Sequence, residues 1–75
     1  MNIYIMVLMA VEFDVPRWSP IDARRWLKDN GIQYKGSVVA TKYSLRYNMD
    51  VRRHRLRTFG SKRTNRGIRL IFGFM

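Results

Sequence analysis

The 75-residue chain has no cysteine, a single histidine and only five acidic residues. Without cysteine there is no disulfide framework, no thiolate nucleophile and no cysteine-based zinc site. The same absence fits a reducing cytoplasm, which is the expected location. With five carboxylates and His54 as the lone imidazole, little remains from which to build a metal centre or an acid–base pair. No cofactor is expected. Long hydrophobic runs are also missing. The longest apolar stretch, residues 3–11, falls well short of the ~20 residues a spanning helix needs. It has no basic residues before it, and Glu12 and Asp14 follow where a signal peptide would carry a cleavage site. It reads as a buried strand, and no membrane partner is expected.

The 47% apolar fraction excludes a disordered basic tail. The length allows one domain, residues 1–75. A domain of this size buries only about 60% of its unfolded surface, so a bound partner would add usefully to its stability.

Fifteen basic residues against five acidic ones give a formal net charge of +10. The imbalance is graded along the chain. Residues 1–16 are net −2, residues 17–50 net +4, and residues 51–75 net +8 with no acid at all. Eleven of the fifteen bases are arginine, whose planar fork of donors matches phosphate and stacks on bases.

Residues 3–13 are apolar on both alternating faces, as in a central strand. Pro16 and Pro20 bracket a loop. Ser19-Pro20-Ile21-Asp22 is a helix start: a capping hydroxyl, a proline suited to the first turn, and an acid near the free amides. Ala23, Trp26 and Leu27 share one face, and Asn30-Gly31-Ile32 predicts a Schellman stop in which Ile32 packs back on Leu27. Arg24, Arg25 and Lys28 fall on a secondary basic face. From Tyr34 a period of two predicts a strand through Tyr47, then a turn at residues 48–50. Residues 51–59 predict a returning strand, residues 60–67 a polar loop and residues 68–74 a last strand. The sum is α+β: a small, mainly antiparallel sheet with one helix on one face, β-α-β-β-β. The runner-up makes residues 50–59 a helix, in a ferredoxin-like β-α-β-β-α-β order.

The candidate binding residues are Arg52, Arg53, Arg55, Arg57, Lys62, Arg63, Arg66 and Arg69. On a strand, alternate arginines lie about 6.6–7 Å apart, comparable to the phosphate spacing of one nucleic-acid strand. The alternative is a solvated sheet face. The loop around Lys62 lacks the order of a nucleotide P-loop and reads as a basic hairpin finger. Tyr43, Tyr47 and Phe59 lie in or beside this region, where an exposed ring would stack on a base. The alternative for each is core packing. Trp18 reads either as a staple over the helix start or as an exposed partner anchor; Trp26 reads as core.

These features predict a non-enzymatic basic protein that binds nucleic acid, RNA favoured over DNA, or a nucleic-acid-containing machine, through its arginine-rich final third. The alternative is a phage-type or accessory regulator that docks by protein contacts on RNA polymerase or another nucleoprotein enzyme and modulates or inhibits it. The remote alternative is a metal-independent ribonuclease using His54 with Arg52, Arg57 and a tyrosine. A magnesium site from Glu12, Asp14 and Asp22 is disfavoured, because each has a local structural reading.

Overall fold

A computed structural model describes residues 6–51 and 58–74. The order is β1 (Met6–Asp14), α1 (Pro20–Asp29), β2 (Val39–Ala40), β3 (Ser44–Asn48), β4 (Thr58–Arg63) and β5 (Ile68–Phe74). The strands form one five-stranded sheet in the order β2-β3-β1-β5-β4, with every neighbouring pair antiparallel. One helix packs on one face, so the expected α+β class is present. The expected count of four strands is not: among the described residues there are five. The strand expected across residues 51–59 falls mostly outside the described residues; Thr58 and Phe59 open β4.

The helix forms where its caps say it should. Ser19 Oγ accepts a hydrogen bond from the Asp22 amide at 3.2 Å, and Pro20 opens the first turn. At the far end Gly31 takes a φ of 67°, the Ile32 amide donates to Leu27 O at 2.9 Å, and the Gly31 amide donates to Lys28 O at 3.1 Å. These are the two bonds of a Schellman stop.

The expected strand from Tyr34 to Tyr47 is broken into β2 and β3 by a tight reversal. Thr41 Oγ accepts from the Tyr43 and Ser44 amides at 3.2 and 3.0 Å, and the Thr41 amide donates to Ser44 O at 2.8 Å. The side-chain hydroxyl supplies acceptors the ladder would otherwise give, so a threonine inside an alternating run makes a turn. The expected loop at residues 60–67 is likewise shorter. β4 runs on to Arg63, and only Asn65-Arg66-Gly67 reverses, with Gly67 at a φ of 76°. A three-residue hairpin closing on a left-handed glycine matches the twist of its strands.

The core lies between α1 and one face of the sheet. Val11 and Phe13 of β1, Leu45 and Tyr47 of β3, Ile68 of β5, and Ala23 and Leu27 of α1 are buried together. Phe13 is its centre: the rings of Trp18, Trp26 and Tyr47 lie 5.2, 5.8 and 5.6 Å from it, all tilted or edge-on. A register shift between Leu8 and Ala10 lets Leu8 and Val11, three residues apart, both face this core. Without that bulge the strict alternation of a strand would send one of them to the other face.

Candidate nucleic-acid interface

Because α1 covers only one face, the alternate residues of each strand form a second face, helix-free among the described residues. Register places Val39, Arg46, Glu12, Arg69 and Arg63 in one row across all five strands. Neighbours in such a row stand about 4.5–5.5 Å apart. Glu12 has an arginine on each side and pairs with Arg46, Nη1 to Oε1 at 3.6 Å. Arg46 also donates through Nε to Asn48 Oδ1 at 3.1 Å. Arg63 turns along the sheet to the Asp14 carboxylate. Arg69 makes no ion pair among the described residues. It lines a shallow hollow of about 370 Å³ with Glu12, Arg46, Ser61, Ile71 and Phe59. Phe59 stands over Gly73, its register partner, and is 59% exposed. Glycine opposite the ring leaves its flank uncovered.

The structure distributes the expected site residues instead of stacking them in one strip. Arg52, Arg53, Arg55 and Arg57, with His54, lie outside the described residues. Lys62 is opposite Leu70 and Arg63 is opposite Arg69, so these two neighbours point to different faces. Arg66 sits in the hairpin turn beside the helix start. On α1, Arg24 and Lys28 flank a second hollow with Tyr34, whereas Arg25 lies toward Trp18 and Trp26.

Of the expected stacking or anchor rings, Tyr43 is 71% exposed at the β2–β3 turn, with Lys42 Nζ 5.6 Å from its centroid. Tyr47 is corrected: it is 1% exposed, wedged between Phe13 and Tyr34, and has no free ring face. Its hydroxyl finds no hydrogen-bond partner among the described residues. Burial pushes its phenol upward, opposed by nearby Arg24 and reinforced by Tyr34. Trp18 packs beside the helix start, as expected of a staple. It is half-buried on Phe13, and its Nε1 donates to Arg66 O at 2.8 Å.

Arg46 and Arg17 carry more of the geometry than their sequence positions suggest. A cross-strand signal did exist for Arg46: it and Glu12 sit on the polar phases of two alternating segments. Glu12 and Asp14 are held by arginines and Asp22 stands in the first turn of α1. Among the described residues no group of three or more acids or histidines could hold a metal ion, and no helix is long and apolar enough to cross a membrane.

No known protein family, no curated protein and no solved structure matches the chain.

Proposed function

We propose that the protein is a non-enzymatic binder of single-stranded nucleic acid, RNA in preference to DNA, and that the helix-free face of its sheet is the interface. The observation that carries this reading is the exposed Phe59 ring sharing one hollow with Arg69, which forms no ion pair among the described residues. An open ring on a sheet offers a stacking surface to an unstacked base, and a guanidinium beside it offers two donors to a phosphate. A flat sheet does not enter a duplex groove as a recognition helix does, which favours a strand whose bases are already splayed.

Charge supports the same partner. Three of the five acids are engaged by Arg46, Arg63 and Lys35, while Arg17, Arg24, Arg25, Lys28, Lys62, Arg66 and Arg69 have no acidic partner among the described residues. A surface so weighted attracts a polyanion and steers its approach.

The test is fluorescence anisotropy of labelled single-stranded RNA, single-stranded DNA and duplex DNA with the whole chain, repeated over a series of salt concentrations. Single-stranded RNA is expected to bind tightest, and the affinity to fall on substituting Phe59 or Arg69. Equal, weak binding of all three, beside a protein partner captured from nuclease-treated lysate, would instead favour the docking regulator of RNA polymerase or another nucleoprotein enzyme.

A further inference from the structure

On the opposite side of the molecule, α1 and the β4–β5 turn border an open groove of about 540 Å³, comparable in volume to small-molecule sites. Its floor is aromatic. Trp18 and Trp26, the only tryptophans of the chain, line it and are braced from behind by Phe13. Its walls are charged: Arg17, Arg25 and Arg66 on one account, Asp22 and Asp29 on the other.

Two facts make this more than a solvated helix flank. First, the five charged groups converge without pairing: none of them forms an ion pair among the described residues. Second, the arginine end is positioned by the fold. Arg17 Nη1 donates to Asn65 O at 3.0 Å, and the Arg66 main chain is held by the indole of Trp18 at 2.8 Å. The Arg17 guanidinium and the Arg66 main chain are therefore held beside Trp18, which lowers the ordering cost at this end of the groove.

The lining selects its ligand by exclusion. An acidic peptide would satisfy the arginines and be repelled by Asp22 and Asp29. A cationic ligand would meet the reverse conflict. An uncharged aromatic would leave the arginines unused. A planar heterocycle bearing N–H donors and a separate phosphate satisfies all three kinds of group at once. Guanine fits best, because its imino and amino hydrogens present two parallel donors, and an ionised carboxylate is an acceptor only. We infer that this groove binds a guanine nucleotide carrying a 5′-phosphate, free or at the end of an RNA strand: the base lies on the indoles, a carboxylate of α1 takes its donors, and the arginines at the hairpin take its phosphate. The inference does not rest on the sheet-face reading, which concerns the other side of the molecule.

The test follows the two indole N–H resonances of the labelled whole chain by NMR while guanosine 5′-monophosphate is added. A saturable shift of these resonances is expected. Guanosine and inorganic phosphate should each bind at least about tenfold more weakly, since either loses one set of charge-assisted bonds. Arg66→Ala keeps the main-chain carbonyl that anchors Trp18 and is expected to weaken binding about tenfold, as is Asp29→Asn. Lys35→Ala, an exposed position outside both this groove and the sheet-face hollow, should leave it unchanged. An RNA with a 5′-phosphorylated guanosine that saturates at lower concentration than the free nucleotide identifies the strand end as the source; the reverse order identifies the free nucleotide. The inference is overturned by unmoved indole resonances, by equal binding of inorganic phosphate alone, or by equal binding of adenosine 5′-monophosphate.

Discussion

The indole N–H of Trp18 donates to the main-chain oxygen of Arg66, 48 residues further along the chain. That bond ties the entrance of α1 to the tip of the β4–β5 hairpin. It is one of four ties at this point. The Asp14 amide donates to Gly67 O at 2.8 Å, Arg17 reaches Asn65 O at 3.0 Å, and Arg63 pairs with Asp14. The most basic hairpin of the described chain is thereby fixed against the segment that leads into the helix.

Trp18→Phe isolates this tie. Phenylalanine keeps a ring against Phe13 and loses the donor. The expected cost is about 1 kcal/mol for the hydrogen bond, with a further contribution from the smaller ring. Thermal unfolding followed by circular dichroism should show a midpoint lowered by at least about 4 °C, given the entropy change of a domain this size. An unchanged midpoint would mean that water replaces the indole without loss.

Gly67→Ala tests the same junction from the backbone. A left-handed φ of 76° already disfavours a side chain, and a Cβ there would stand 3.0 Å from Arg17 Cδ and 3.3 Å from Asp14 Oδ2. Gly36 is the control: its φ is 81°, yet a Cβ would meet nothing within 4 Å. Gly36→Ala is expected to cost about 1 kcal/mol for the conformation alone, and Gly67→Ala measurably more, because the clamp must open. Urea denaturation of the two variants supplies the comparison, and equal losses would show that the contacts around Gly67 yield freely.

The helix was legible in the sequence because its determinants are local. Ser19, Pro20, Gly31 and Ile32 act within a turn of where they stand, so pattern and structure coincide. The central place of β1 was legible too, since a strand apolar on both sides must be covered on both. The sheet's fine structure was not. Whether Thr41 continues a strand or turns it depends on its hydroxyl capturing two amides, which alternation cannot reveal. Which ring faces solvent depends on register: Tyr47 is paired beside Val11 and sinks into the core, while Phe59 is paired with Gly73 and stays open. Both are aromatic residues in strands, and what separates them is the face that register assigns, toward α1 for Tyr47 and away from it for Phe59.

Tyr47 also sets an alkaline limit on stability. Burial first, and then Tyr34, raise its phenol above the ordinary value of 10.0, with Arg24 opposing. The folded state therefore keeps a proton that the unfolded state releases. This contribution is complete below the ordinary value and is lost as pH rises through the higher folded-state value. Tyr47→Phe should flatten that alkaline decline. It should also stabilise the fold at neutral pH by about 1 kcal/mol, because it removes a buried hydroxyl without a partner among the described residues. Denaturation midpoints collected from neutral to alkaline pH would check both effects; a variant that declines as steeply as the parent assigns the limb to other groups.

Phe59 and Arg69 make separable contributions on the helix-free face. Stacking on Phe59 is insensitive to salt, whereas contact of Arg69 with a phosphate releases a counterion. Phe59→Ala is therefore expected to weaken single-stranded RNA binding by about tenfold or more at every salt concentration, leaving the slope of log affinity against log salt unchanged. Phe59→Leu retains apolar bulk without a flat ring, so it should resemble Phe59→Ala if the contact is a stacked base and the parent if it is hydrophobic docking. Arg69→Ala should reduce the magnitude of the slope by about 0.7, the value for one phosphate on a single strand. Neither substitution touches the core, since both positions face away from α1, so circular dichroism should report an unaltered fold. If Phe59→Leu binds like the parent and the salt slope is unmoved by Arg69→Ala, the sheet face contacts neither base nor phosphate, and the interface must lie elsewhere on the molecule.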